Sequence, residues 1–259
     1  KLLRAYITDV RVVFSALLLI ACHHLHIQAM LTPMTDIAGA TAVAVFFLAL
    51  HHLLKGDSSE FWRRFLAVGA VAVSIALGLQ TRIALLPLVL VPAGLSLVLI
   101  CRARQLQGQQ LALLSASFLG LLLVMACYYA LDLSGSLFDA ANTATDNSFS
   151  GLFSYREFAL YSLVNLGLPF LICVFHWRKA LEEPIVLAVG LFAVAYLLML
   201  VLGQIVTWER YWVPLMGPAV FAMAVCLAKG GFLRKPGLAI AMLLLALMAE
   251  LTVYQFSGF

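Results

Sequence analysis

The segment "PIVLAVGLFAVAYLLMLVLG", residues 184–203, decides the fold class. It runs for 20 residues without a charged side chain, and about 20 apolar residues are what an α-helix needs to cross the hydrocarbon core of a bilayer. The whole chain follows the same trend, with 64% hydrophobic and 11% charged residues. Soluble domains are far more polar than this. The sequence therefore predicts an all-α fold, a polytopic transmembrane helix bundle.

Further apolar runs along the chain also have lengths suited to membrane helices, roughly 17–25 residues. Together they predict about nine helices in a single transmembrane domain, residues 1–259. Prolines inside the runs remove backbone hydrogen-bond donors, so each predicted helix end is defined only to within several residues. The further runs are 10–31, 37–54, 64–80, 83–101, 110–131, 157–175, 211–228 and 237–254, and the prolines are Pro87, Pro92, Pro169, Pro214 and Pro218.

The basic residues separate when successive connections are assigned to alternate sides of the membrane. One side receives 13 of the 16 basic residues, and only Arg82, Arg156 and Arg210 fall on the other. Cytoplasmic loops carry an excess of Lys and Arg, so the richer side is predicted to be cytoplasmic. This places the N-terminus inside, the C-terminus outside and the polar connection of about 132–156 on the external face.

The histidines and cysteines do not form a recognisable cofactor motif in the sequence. His23 and His26 share a helix face, but His51 and His52 fall towards the opposite leaflet, so the two pairs are poor candidates for opposed haem ligands. The five cysteines are scattered without a CxxC pair. We expect no cofactor, and a divalent metal would lack a supporting ligand cluster. Nucleotide-binding loops are absent from the sequence, and the net charge of +4 follows from the basic cytoplasmic loops, so no nucleic-acid partner is expected.

Two charged residues next to predicted helix ends are candidates for function. Asp36 follows Pro33 in "TPMTD" at the external start of the second helix, where it could cap the helix, act as a functional carboxylate, or do both. Arg82 lies in a short external turn, "LGLQTRIALLP". Its guanidinium could extend to lipid headgroups or bind a phosphate through its planar set of donors.

The segment "VTWERYWVPLMGP" combines charge with aromatic residues at another external helix start. Glu209, Arg210 and Tyr211 could belong to an aromatic belt with a local ion pair, which is ordinary at a membrane interface, or they could bind a substrate. His26 has a similar choice between interfacial hydrogen bonding and binding of a substrate hydroxyl or proton.

The order of these segments resembles the membrane region of GT-C glycosyltransferases, a superfamily of lipid-linked-sugar enzymes that includes protein mannosyltransferases and aminoarabinose transferases. The matching parts are the acid Asp36, the segment Gly78-Leu79-Gln80-Thr81-Arg82, and Arg210-Tyr211-Trp212-Val213-Pro214 with Pro218. The resemblance extends over about residues 8–228 through short motifs.

The resemblance implies an inverting transfer from a polyprenyl-phosphate sugar at the external face of a bacterial inner membrane. Asp36 would be the base for the acceptor hydroxyl. Arg82 and Arg210 would stabilise the leaving phosphate, with Glu209, Tyr211 and His26 in the substrate site. The expected partners are membrane lipids and the polyprenyl-phosphate sugar. The donor sugar and the acceptor leave no motif in the sequence.

The chain also departs from the family pattern. The family's usual catalytic Asp lies on the first external loop, and we expect this chain to lack that loop and the N-terminal helix before it. A second hypothesis is therefore a non-catalytic integral membrane subunit of a larger complex, bound to other membrane subunits. A third hypothesis is a small-solute transporter, but the predicted helices carry few polar residues that could line a path for a solute.

Overall fold

The described part of the molecule is almost entirely helical. The computed structural model describes residues 3–22, 36–55, 61–81, 85–103, 108–130, 155–202, 212–229, 237 and 241, and no β-strand occurs among them. The predicted all-α class is confirmed for these residues.

Long helices occur in eight of the predicted apolar segments. The ninth segment, 237–254, lies outside the described residues except for positions 237 and 241, so the count of nine stays a prediction. The helices are α1 (Val10–Cys22, after a 3₁₀ turn at Leu3–Ala5), α2 (Asp36–Lys55), α3 (Phe61–Thr81), α4 (Pro87–Ala103), α5 (Gly108–Ala130), α6 (Tyr155–Phe175), α7 (Trp177–Glu182), α8 (Pro184–Val201) and α9 (Val213–Lys229).

Four of these helices are long and apolar enough to cross a membrane, within α2, α3, α5 and α8. The apolar helices α1, α4 and α9 are somewhat shorter in their described extent. These lengths indicate an integral membrane protein, as the sequence predicts. The orientation of the chain in the membrane stays a prediction.

The prolines affect the helices less than the sequence suggests. Pro87 is the first residue of α4, where its missing amide would have no helical partner and its fixed φ suits the first turn. Pro184 begins α8 in the same way. Pro92, Pro169 and Pro218 lie inside continuous helices, which membrane helices tolerate because neighbours can satisfy the freed carbonyls.

Two compact units account for the described packing. The first unit consists of Lys1–Ala40, Ser154–Val189 and Trp208–Phe259, and the second consists of Thr41–Phe153 and Gly190–Thr207. The first therefore holds α1, α6, α7 and α9, and the second holds α3, α4 and α5. Helices α2 and α8 each contribute residues to both.

Serine hydroxyls join α4 to α5 in the second unit. Ser96 Oγ donates to the carbonyl of Gln110 at 3.0 Å, and Ser117 Oγ donates to the carbonyl of Val89 at 2.9 Å. The contacts run in opposite directions along the two helices, so α4 and α5 are antiparallel. Interhelical hydrogen bonds of this kind hold membrane helices together, and here each serine also avoids an unsatisfied buried hydroxyl.

Helices α3 and α5 approach closely at Gly120. A Cβ atom at Gly120 would lie 2.9–3.1 Å from three side-chain atoms of Ile75 on α3, including its Cβ. Gly108, at the start of α5, similarly faces the guanidinium of Arg64 near the start of α3. These two contacts make α3 and α5 parallel, and they show the use of small residues by which membrane helices reach close packing.

Replacement of Gly120 by alanine should therefore destabilise the protein. The new methyl group overlaps the Cβ of Ile75, which cannot move without its helix, and overpacking of this kind costs about 1–3 kcal/mol. Gly69→Ala is the matched control, because no atom lies within 4 Å of a Cβ at that glycine of α3. Unfolding in mixed micelles measures both free energies. Equal stability of the two variants would contradict the close approach.

Helix α9 is the most enclosed element of the first unit. Its buried residues occupy all sides of the helix, including Leu215, Phe221 and Cys226. Its first turn meets the first turn of α6, where the rings of Trp212 and Phe158 lie 5.8 Å apart. Near the other end, the thiol of Cys226 donates to the sulfur of Cys173 at 3.6 Å. These contacts make α6 and α9 parallel.

Candidate functional site

The side chains predicted to form the site lie outside the described part of the molecule. Asp36 is the first residue of α2, as its predicted place at a helix start requires, but only its backbone position is described. The other five predicted residues are not described: His26, Arg82, Glu209, Arg210 and Tyr211. Their roles stay predictions.

The start of α9, next to Arg210 and Tyr211 in the sequence, packs against the start of α6 in the first unit. Trp212 follows them directly in the sequence and is completely buried. Its ring packs on Phe158 of α6 at a centroid distance of 5.8 Å. Arg156 lies one half-turn before Phe158 and is exposed. We call this region, Trp212 with Tyr155–Phe158, the α6–α9 junction.

A buried hydroxyl lies next to the α6–α9 junction. Ser162 is one turn beyond Phe158 and therefore on the same face of α6. Its Oγ is buried and has no hydrogen-bond partner among the described residues. Serines in helices commonly donate to the carbonyl four residues back, as Ser15 and Ser74 do at 2.9 and 2.7 Å.

At the opposite end of α6 and α9, an ion pair joins two segments of the first unit. Lys229 Nζ, at the end of α9, lies 2.7 Å from Glu183 Oε1, between α7 and α8. The lysine is 46% exposed and the glutamate 20% exposed, so solvent weakens the pair. Its effect is to fix the α7–α8 connection against the last turn of α9.

Tyr6 belongs to the same end of the first unit. Its ring packs edge-on against Phe221 of α9, with centroids 5.7 Å apart. Burial, and then the carboxylate of Glu183, raise the pKa of the Tyr6 phenol well above its ordinary value. Both causes disfavour the phenolate, since burial removes its hydration and the glutamate adds a second negative charge. The N-terminal segment is thus held against α9 with a neutral tyrosine.

Stability should therefore decrease at alkaline pH in a way that depends on Tyr6. Above the ordinary tyrosine pKa of about 10, the unfolded chain loses this proton while the folded protein keeps it. The unfolded state then binds fewer protons, so the free energy of unfolding falls as pH rises. The phenolate absorbance that develops well above a pH of about 10 should fall by the share of one tyrosine in Tyr6→Phe.

Tyr129→Phe is the control for this titration, because Tyr129 is 85% exposed. That variant should keep the full phenolate absorbance that develops at the highest pH. An unchanged amount of this absorbance in Tyr6→Phe, or its loss in Tyr129→Phe, would contradict the described environment of Tyr6.

Metal ligands do not converge among the described residues, where no group of three or more His, Cys, Asp or Glu side chains could hold an ion. The contact between Cys173 and Cys226 is nevertheless a pairing that sequence reasoning missed. The two cysteines are 53 residues apart, and no spacing rule connects them. Ser162 and the Glu183–Lys229 pair were missed for the same reason, since each depends on which helices pack together.

Comparison of the chain with protein-family models, with curated proteins and with solved structures gives no match in any of the three.

Proposed function

We propose that the chain is a GT-C-like membrane glycosyltransferase that uses a sugar carried on a polyprenyl phosphate. The reaction takes place at the external face of a bacterial cytoplasmic membrane. The acceptor hydroxyl attacks the anomeric carbon, its proton passes to Asp36, and the bond to the carrier phosphate breaks. The products are the glycosylated acceptor and the polyprenyl phosphate.

The α6–α9 junction is the observation that carries this proposal. Arg210 and Tyr211 directly precede Trp212, whose buried ring fixes the start of α9 against α6. A substrate-binding arginine needs a rigid support of this kind, because a group that stabilises developing charge must be held in place before the reaction.

The position of Asp36 adds a second line of support. It begins α2 and belongs to the first unit together with the α6–α9 junction. The positive end of a helix dipole is a favourable place for a carboxylate, and the proposed role of Asp36 as the base uses that position. The phosphate-binding role of Arg82 is proposed from its place in the sequence between α3 and α4 and from the chemistry of guanidinium.

Binding of polyprenyl phosphate to the purified protein tests the role of Arg210. A charge-assisted hydrogen bond contributes about 1.5–3 kcal/mol, so Arg210→Ala should weaken binding by about 10- to 100-fold. Arg178→Ala is the matched control, because this exposed arginine lies over the ring of Trp177 on α7, far along the chain from the junction. Equal losses in both variants would contradict a site at Arg210.

Transfer of sugar separates catalysis from binding. Asp36→Asn should retain binding of polyprenyl phosphate but lose its release from a polyprenyl-phosphate sugar in membranes that contain the acceptor. Binding and release that are unchanged in both Arg210→Ala and Asp36→Asn would remove these roles. The result would then favour the alternative of a non-catalytic membrane subunit.

A further inference from the structure

Three aromatic side chains form an exposed cluster at the start of α3. The relative exposures of Phe61, Trp62 and Phe65 are 71%, 71% and 57%. Their rings also contact one another, with centroid distances of 5.7 Å between Phe61 and Trp62, 6.0 Å between Trp62 and Phe65, and 6.3 Å between Phe61 and Phe65. An exposed group of this size needs an apolar environment that the second unit does not supply.

Basic side chains lie in the same turn of α3 as this cluster and at the ends of two other helices of the second unit. Arg63 is exposed within the same turn, and Arg64 follows it. Lys55, at the end of α2, and Arg102, near the end of α4, are also exposed. We refer to these four basic residues and the three aromatic ones as the α3 patch.

Contacts within the second unit bring the basic residues of the α3 patch to one end. Gln109 Nε2 donates to the carbonyl of Leu54 at 2.7 Å, which joins the end of α2 to the start of α5. Arg64 lies against Gly108 at that same start. The antiparallel course of α4 carries Arg102 towards this end as well, since Ser96 bonds to Gln110.

The charge balance at this end favours an anionic partner. Along residues 55–64 and 101–107 the sequence has five basic residues against two carboxylates, Asp57 and Glu60. Trp side chains of membrane proteins are enriched at headgroup level, and each basic residue near the membrane surface raises the affinity for anionic lipid by about fivefold. An apolar cluster with cations beside it matches both parts of an anionic phospholipid, its acyl chains and its phosphate.

We propose that the α3 patch binds anionic phospholipid of the membrane leaflet at this end of the second unit. The aromatic rings of Phe61, Trp62 and Phe65 lie among the upper acyl chains, and Arg63 binds the headgroup phosphate. The site is separate from the proposed glycosyl transfer, and it would fix the depth of α3 in the bilayer.

Lipid binding by the full chain in detergent tests this proposal, with phosphatidylglycerol as the probe and phosphatidylcholine for comparison. Native mass spectrometry counts the bound lipids and gives their relative affinities. Arg63→Gln should weaken binding of phosphatidylglycerol by about fivefold and binding of phosphatidylcholine by less, because the choline cation offsets the charge of its phosphate. Trp62→Ala should weaken both lipids, because it removes apolar contact and no charge. Both side chains are exposed, and circular dichroism checks that the variants fold.

Arg11→Gln is the matched control, with the same loss of charge at an exposed arginine of the first unit outside the α6–α9 junction. It should bind phosphatidylglycerol as the unaltered protein does. Three results would overturn the proposal: no preference for phosphatidylglycerol in the unaltered protein, an equal loss in Arg11→Gln, or self-association of the protein through Trp62 that excludes lipid.

Discussion

The absence of water from the hydrocarbon core of a bilayer is the constraint on which this structure depends. Backbone amides and carbonyls must then be satisfied within the chain, which limits a spanning segment of this composition to helices. Lipid is as apolar as leucine, so helix association relies on close packing and on hydrogen bonds between helices. The second unit uses both means. Gly120 brings α5 onto Ile75 of α3, and Ser96 and Ser117 bond to carbonyls across the α4–α5 contact.

The first unit satisfies the same constraint around α9. A helix that is apolar on all sides is stable when other elements or lipid surround it, and here α1 and α6 pack against it. Polar groups collect near its two ends. The Glu183–Lys229 pair and the neutral Tyr6 lie at one end, and Trp212 with Phe158 lies at the other. Polar groups near the two ends of α9 are therefore compatible with an apolar central part of this helix.

The helices could be predicted from the sequence because each apolar run is long and nearly free of charge. For α2 to α6, α8 and α9 the structure places both helix ends within a few residues of the predicted ones, and Pro87 explains why α4 starts later than the apolar run at 83. The predicted end of the first run at 31 and the last run, 237–254, fall among residues outside the described part of the chain and stay predictions. Helix α7 was not predicted, because its six residues include Arg178, Lys179 and Glu182 and lack a long apolar run. The division into two units also could not be read from the sequence, since it depends on which helix faces meet.

The candidate site was less predictable for a physical reason. Charged residues at helix ends, such as Asp36 and Arg210, are visible in an apolar sequence, and their side chains lie outside the described part of the chain. Ser162 is one of many serines in apolar helices, and it is distinguished only because its hydroxyl has no hydrogen-bond partner among the described residues. The α3 patch was visible as "FWRRF", but the convergence of Lys55 and Arg102 on the same end required the packing of α2, α4 and α5.

The central claim places the proposed site on the external face of the membrane and the basic helix ends on the cytoplasmic face. The sidedness of one position in each kind of connection tests it most directly. Ser59→Cys, between α2 and α3, and Ser136→Cys, between α5 and α6, can be compared in a cysteine-free background with an impermeant maleimide. The account predicts that only Ser136→Cys reacts in right-side-out vesicles and only Ser59→Cys in inverted ones. Reaction of both positions from the same side would contradict it.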